Sequence, residues 1–257
     1  MISLEELIEM DKQSIINLSE RIQKSKDELS HTAGKFYYFH VALGAKAIKE
    51  RDFDLAKKNF NICAEVDSFL VKNYNSRLFD YGLNNVCYAL LSDNEPLLQS
   101  YSQLRYHRGE YAEYSMDEMV AMGETPIWCN TMQMLISKDI EGVERNLNII
   151  ETKILKRAQK KGSSVPIDYE FYKALLTGNK AKMEDILETL LSPKFHKKRT
   201  ANLVIAQYLS MPALGYAKLA WRYGFEVEVK SKLVPQELLP IKPLDKYDVP
   251  YDFLIER

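Results

Sequence analysis

Apolar residues recur every three or four positions along most of this chain, which is the spacing of one face of an α-helix. One predicted helix has an apolar stripe made of Ile140, Val143, Leu147, Ile150 and Ile154. Another has a stripe made of Met183, Ile186, Leu187, Leu190 and Leu191. A third segment, residues 35–48, is apolar on nearly all sides, so we expect it to form a central, buried helix.

Four polar turns divide the helical pattern into hairpins of similar length. In each, an apolar helix end meets a short polar stretch and a second helix begins. The anchors of these turns are Asp52, Asp93, Asp139 and Asn179. Consecutive anchors are 41, 46 and 40 residues apart. This spacing is typical of stacked αα-hairpins of roughly 35–47 residues, although the sequence matches neither the TPR nor the HEAT consensus.

The pattern predicts an all-α fold, a single domain of stacked antiparallel helical hairpins with a TPR- or HEAT-like shape. We expect this domain to span residues 1–257, with N-terminal helices over about 1–50, hairpins over about 36–192, and C-terminal helices and a tail over about 200–257. Prolines support the helix starts, because each stands in a first turn beside a possible cap: Pro96, Pro126, Pro166 and Pro212. Ser3 and Glu6 have capping-box spacing at the first helix.

One short segment near the C-terminus has the alternation of a β-strand. Phe225, Val227 and Val229 alternate with charged residues over 225–230. We expect this segment to lie extended against the last helix, with its apolar side chains inward, because the terminal unit of a helical stack must cover its outer face. The tail that follows is expected to wrap the surface, with aromatic anchors at Tyr247, Tyr251 and Phe253.

Composition narrows the class of protein. The net charge of −1 argues against a dedicated nucleic-acid binder. The first residues lack the basic and apolar regions of a signal peptide. The longest uncharged run, residues 201–217, is shorter than the about 20 apolar residues that cross a membrane, and we interpret it as two buried helix segments. Three cysteines without CxxC spacing indicate buried thiols in a reducing compartment: Cys63, Cys87 and Cys129. The chain is predicted to be cytoplasmic, with no membrane partner.

The sequence carries no local catalytic or metal-binding motif. No two histidines have HxH or HxxxH spacing, and the nucleophile-elbow, P-loop and dinucleotide-binding patterns are missing from the sequence. His40 lies on an apolar helix face and is interpreted as a core histidine. We therefore predict no enzyme activity, no cofactor and no metal, although a catalytic site assembled from distant residues stays open as an alternative.

Two surface segments are candidates for binding. The first, residues 101–118, contains residue types that are typical of interface hot spots or that could face a basic partner: Arg105, Tyr106, Arg108, Glu110, Tyr111, Glu113 and Tyr114. The alternative is that its tyrosines cover the ends of the hairpins. The second is a basic patch at helical spacing: Lys153, Lys156, Arg157, Lys160 and Lys161. It could bind phosphate or be a solvated helix face, but it has no aromatic residues on which bases could stack.

A further basic cluster, made of Lys194, Lys197, Lys198 and Arg199, follows the last predicted hairpin, with the same two interpretations.

The segment QYLSMPALGYAKLAWRYGFEVEVKSKLVPQELL, residues 207–239, resembles the C-terminal signature of the immunity protein 49 family. The similarity extends upstream through IDYEFYKALLTGNKAKMEDILETLL and TPIWCNTMQMLISKDIEGVERNL. Members of this family are all-helical proteins of bacterial polymorphic toxin systems. The resemblance implies a cytoplasmic antitoxin that binds a cognate toxin, and it implies no catalytic residue. The alternatives are a helical-repeat scaffold for a protein or peptide, then a nucleic-acid binder, and last an enzyme.

Overall fold

The computed structural model describes residues 2–22, 27–78, 83–109, 112–157, 166–200 and 202–255, without the side chains of 19–32. Within these ranges the chain forms thirteen α-helices. The first seven are α1 (Leu4–Ile22), α2 (Asp27–Lys49), α3 (Phe53–Tyr74), α4 (Leu83–Leu91), α5 (Glu95–Ser102), α6 (Met116–Met122) and α7 (Pro126–Ser137).

The remaining six are α8 (Ile140–Ile149), α9 (Ile167–Leu176), α10 (Lys180–Leu191), α11 (Pro193–Arg199), α12 (Met211–Arg222) and α13 (Asp252–Ile255). A π-helical turn, Ile150–Leu155, extends α8, and two 3₁₀ turns lie at Ile205–Gln207 and Gln236–Leu238. The described residues contain no β-strand, only an isolated bridge between Gly109 and Ala112. The all-α prediction is confirmed.

The four predicted hairpins form as α2–α3, α4–α5, α7–α8 and α9–α10, and their turns share one backbone geometry. Each turn has a residue with positive φ, directly before the cap of the second helix: Arg51, Asp93, Lys138 and Gly178. The caps are Asp52, Asn94, Asp139 and Asn179, whose side chains accept a hydrogen bond from the amide three residues on. This combination satisfies the free carbonyls of the first helix and the free amides of the second.

Asp93 lies in the second turn, as the sequence predicted, but unlike the other three predicted anchors it is not the cap of the helix that follows. Asn94 is the cap, and Asp93 occupies the left-handed position with φ +56°. Its carboxylate is fully buried and has other partners, described below.

Other predictions about helix starts are confirmed only in part. Ser3 and Glu6 exchange the two capping-box hydrogen bonds, at 2.7 and 3.1 Å. Pro96, Pro126 and Pro212 do lie in first turns, but the side chains of Thr125 and Ser210 do not cap their helices. Pro166 precedes α9 as its cap residue, and the Ser163–Val165 stretch beside it lies outside the described residues.

The core runs through the whole stack and is densest where α2, α3, α4 and α12 meet. Helix α12 is buried from Met211 to Ala220, and it approaches α4 so closely that a Cβ at Gly215 would overlap the Cys87 thiol. All three cysteines are buried and unpaired.

The apolar stripe predicted on α10 faces the core as expected, but in the stripe predicted on α8 Ile140 is 42% exposed. As the first residue of α8, its side chain points back past the end of the helix.

The longest uncharged run and the segment with strand-like alternation both contribute residues to the core. Residues 202–217 form one short 3₁₀ turn and the start of α12, instead of the two helices expected from the sequence. No helix in the described part of the chain is both long and apolar enough to cross a membrane. Residues 225–230 have no regular secondary structure and do not pair as a strand, but Val227 and Val229 are buried and the charged residues beside them are exposed. The Glu228 amide donates to the Glu184 carboxylate (2.8 Å), which fixes the segment on α10.

A buried cluster of charges joins the middle of the chain to its end. The Asp93 carboxylate lies 2.9 Å from Lys57 Nζ and 2.6 Å from Lys218 Nζ, and all three side chains are at most 3% exposed. The two ammonium groups also donate to the backbone carbonyls of Leu238, Pro240 and Lys242 at 2.6–2.9 Å. We call these three side chains the Asp93 cluster. Burial lowers the pKa of Lys218 to about 8, although Asp93 opposes that shift.

Beyond the Asp93 cluster, the tail crosses the first hairpin on its predicted aromatic anchors. The Tyr247 hydroxyl donates to the Ser92 carbonyl (2.8 Å). Tyr251 packs edge-on against Phe36 at 4.7 Å, and Phe253 packs against Phe36 and Phe69. The C-terminal residues thereby cover the helices that begin the stack.

His40 is a core histidine, as its position on an apolar face suggested. Its ring nitrogens lie 2.8 Å from Asn59 Oδ1 and 2.7 Å from the Tyr251 hydroxyl. The Asn59 amide group donates to the Leu55 carbonyl, so its oxygen faces the ring and His40 Nδ1 is the donor. Burial lowers the pKa of His40 to about 4.

We expect Asp93→Asn to lower the free energy of unfolding by about 3–5 kcal/mol, because it leaves two buried ammonium groups without a counter-charge. The measurement is urea unfolding at pH 7. Asp52→Asn is the matched control, since it makes the same chemical change in the equivalent hairpin and asparagine caps a helix as well as aspartate. Equal losses in the two variants would show that the Asp93 cluster contributes no more than a cap.

His40 should make the protein less stable in acid. The unfolded chain binds a proton at this ring near pH 6.5 and the folded chain only near pH 4, so stability is lost as pH falls between these values. The expected loss is up to about 3 kcal/mol. Urea unfolding at pH 7 and pH 4.5 measures it, and His40→Gln should show a smaller difference between the two pH values. An unchanged difference would contradict this assignment.

Candidate functional site

The segment predicted to bind a partner, residues 101–118, is anchored in the core at its start. Tyr101 is fully buried, and its hydroxyl donates to the Asp67 carboxylate (2.9 Å), which also accepts from the Asn85 amide. Burial raises the pKa of Asp67 to about 7. The Gln133 amide donates to the carbonyls of Tyr101 and Leu104 at 3.0 Å, so the segment leaves α5 in a fixed direction.

Arg105 and Tyr106 do not belong to the exposed part of this segment. Tyr106 is fully buried, with the guanidinium of Arg77 5.8 Å from its ring. Arg105 donates to the Ser102 and Leu104 carbonyls and to Gln133, and it pairs with Asp117. Arg105 thus binds backbone carbonyls at the end of α5, and Tyr106 is part of the core. For Tyr106 this agrees with the alternative interpretation of the sequence, in which the tyrosines cover the ends of the hairpins.

The exposed part of the segment is a small surface that is largely paired within itself. Arg108 forms three hydrogen bonds with the Glu118 carboxylate, and its guanidinium lies 5.6 Å from the Tyr114 ring. The Arg108 pairing lowers the pKa of Glu118 to about 2. We call Arg108, Glu113, Tyr114 and Glu118 the Arg108 surface. Glu110 and Tyr111, which the sequence also placed here, lie outside the described residues.

The basic patch is exposed but less regular than helical spacing predicts. Lys153, Lys156 and Arg157 are exposed, while Lys160 and Lys161 fall outside the part of the chain that the structure describes. The helix is π-helical over Ile150–Leu155, so spacing counted at 3.6 residues per turn does not hold there. Lys153 donates to the Ala121 carbonyl near the end of α6 (2.6 Å), and Arg157 lies 3.7 Å from Glu124.

In the second basic cluster, Arg199 is paired with an acidic residue of the same chain. Arg199 binds Asp168 through two hydrogen bonds of 2.6 and 2.8 Å, and the Tyr216 hydroxyl donates to the same carboxylate. Lys194, Lys197 and Lys198 remain exposed on the short helix α11. Phe195 and His196 separate Lys194 from Lys197, and no acidic residue lies between these three lysines in the sequence.

A cleft that the sequence did not indicate lies between α1, α2, α4 and the segment before α12. Its volume is about 540 Å³, in the range of cavities that bind small molecules or side chains. Aliphatic side chains form much of the wall: Leu7, Val41, Leu78, Ile205, Leu209, Met211 and Pro212. Tyr37 and Tyr88 lie at its base, 6% exposed, and Tyr38 stands at the mouth, 64% exposed.

The polar groups of the cleft are suited to recognition. Asp11, Asn84, Asn85, Arg199, Thr200 and Asn202 line it. Among the described lining residues there is no histidine or cysteine, and the described part of the chain brings together no group of histidine, cysteine and acidic side chains that could hold a metal. Hydrogen bonding and apolar packing are what this arrangement offers a bound molecule.

A protein-family model matches most of the chain. The model of the family described as immunity protein 49 matches residues 31–238, out of 257. A search of curated proteins returned no match, and a search of solved structures returned none either. The matched range includes the first hairpin from residue 31 onward, the other three hairpins in full, α12, and the 3₁₀ turn that contains Leu238, whose carbonyl binds Lys218.

Two tyrosines of the 101–118 segment should differ sharply in their effect on stability. Tyr106→Ala removes a fully buried ring and should lower the free energy of unfolding by about 3–5 kcal/mol. Tyr114→Ala, at a position that is 38% exposed, should cost less than about 1 kcal/mol. Urea unfolding of both variants tests this. Similar losses would mean that Tyr114 is as structural as Tyr106.

Proposed function

Because the chain belongs to the immunity protein 49 family, we propose that it is an immunity protein that binds a cognate bacterial toxin and neutralises it by direct contact. The observation that carries the proposal is the extent of the family match, which covers residues 31–238 and so the hairpins and the helix that packs against them. An immunity protein of this kind needs a surface complementary to the toxin and no chemistry of its own.

The packing of the chain supports a rigid binding surface. The Asp93 cluster and the aromatic anchors of the tail fix the C-terminal residues on the first two hairpins. The Asn75 side chain holds the backbone of His107 by two hydrogen bonds, of 2.6 and 2.7 Å, next to the Arg108 surface. A surface that is fixed before binding loses little conformational entropy on association, and this favours tight binding.

We further propose that the protein acts in the bacterial cytoplasm, where a toxin that enters or is made in the cell would be met. Three buried, unpaired thiols are in keeping with a reducing compartment. The proposed partner is a protein. The exposed lysines that remain in the two basic clusters give a phosphate backbone only scattered contacts.

Co-expression with a toxin candidate encoded beside this gene tests the proposed function. We expect the wild-type chain to rescue growth of cells that make the toxin, and the purified proteins to form a 1:1 or other defined complex. Asp93→Asn should weaken protection through its loss of stability, and Asp52→Asn, which keeps its helix cap, is the matched control that should protect as well as wild type. Rescue failure together with no complex in solution would overturn the proposal. Recovery of many unrelated proteins in a pull-down would instead favour a general helical scaffold.

A further inference from the structure

The cleft between α1, α2, α4 and the segment before α12 combines apolar walls with a carboxylate, that of Asp11, at the surface of the described residues. We propose that this cleft, and not the Arg108 surface, binds the toxin. The part of the toxin that enters the cleft is a segment with an apolar side chain beside a lysine or arginine. This inference rests on the proposed function, and it names the surface and the chemistry that the function uses.

The apolar side chain expected on the toxin segment follows from the residues that form the walls of the cleft. Tyr37, Tyr38 and Tyr88 form a series of rings from the base to the mouth, with Tyr37 in edge contact with both neighbours at 5.5 and 5.9 Å. Tyr38 is 64% exposed at the mouth, and Leu203, next to the lining residue Asn202, is 50% exposed. Exposed aromatic residues beside an apolar depression are characteristic of the centre of a protein interface.

The charge expected on the toxin segment follows from which polar groups of the cleft already have partners within the chain. Arg199 is neutralised by Asp168, the Asn85 amide donates to Asp67, and Asn202 accepts from two backbone amides. In contrast, among the described residues the Asp11 carboxylate makes no hydrogen bond or ion pair, and the buried Tyr37 hydroxyl has no hydrogen-bond partner.

Asp11 is therefore the charge that the cleft offers to a ligand. Burial raises the pKa of Asp11, and Lys35 opposes this only through a longer-range attraction. A cation from outside would relieve the cost of holding a half-buried carboxylate without a partner. Lysine and arginine also carry aliphatic stems that pack well on tyrosine rings such as that of Tyr38.

The Arg108 surface is a weaker candidate because its charges are satisfied in the free protein. Arg108 is already held by the Glu118 carboxylate and stacked near Tyr114. A toxin that bound there would first have to replace these contacts, so the net gain in free energy would be small.

Binding of the purified toxin to variants of the full-length chain, measured by isothermal titration calorimetry, tests the inference. Tyr38→Ala and Asp11→Lys should each weaken binding by about tenfold to a hundredfold, and the isosteric Asp11→Asn by less. Tyr114→Ala and Arg108→Ala are the matched comparators on the Arg108 surface and should stay within about threefold of wild type. Urea unfolding verifies that Tyr38→Ala and Asp11→Asn retain the stability of wild type.

The outcomes separate the two proposals. If wild type binds the toxin and the cleft variants bind equally well, the cleft inference is wrong and the proposed function stands. Loss of binding only in the Arg108 and Tyr114 variants also overturns it, in favour of the surface that the sequence predicted. If wild type does not bind the toxin at all, the proposed function fails and the cleft inference fails with it.

Discussion

The carboxylate of Asp93 lies between the ammonium groups of Lys57 and Lys218, out of contact with water. A buried charge of this kind is tolerated only when it is paired and hydrogen-bonded. The arrangement meets that condition by recruiting helix α3, the turn between α4 and α5, helix α12 and three carbonyls of the tail. Because two lysines face one aspartate, the ammonium groups also need the tail carbonyls as hydrogen-bond acceptors. If the tail moved away, these buried ammonium groups would lose those acceptors.

This one constraint connects the two ends of the molecule. Once the tail is fixed at the Asp93 cluster, Tyr251 and Phe253 reach the first hairpin, where Tyr251 completes the hydrogen bonds of His40. The cleft is formed by α1, α2, α4 and the residues that lead into α12, so its shape depends on the same packing. The proposed antitoxin role favours an exterior that is fixed before binding. The pairing of Asp93 with Lys57 and Lys218 helps to fix it, because it holds the tail on the helices.

The sequence predicts the helices and hairpins well because these depend on local features, namely apolar spacing, caps and turn residues. It does not reveal that Asp93, unlike Asp52 and Asp139, is not a helix cap, because an aspartate in a cap and an aspartate in a buried ion pair look alike in sequence. Only distant partners, Lys57 and Lys218, distinguish them. Tyr106 and Tyr114 show the same limit, since nothing in the 101–118 segment reveals which ring is buried. The cleft could not be predicted, because its walls come from segments near residues 7, 40, 85 and 205.

Hydrogen exchange at the Lys242 amide tests most directly whether the Asp93 cluster holds the chain together. This amide donates to the Asp93 carboxylate at 3.2 Å and lies in a tail without regular secondary structure. If the cluster fixes the tail, the amide should exchange as slowly as the interior amides of α12, through global unfolding only. Exchange within the time of the first measurements, while α12 remains protected, would show that the tail opens on its own and would contradict the account.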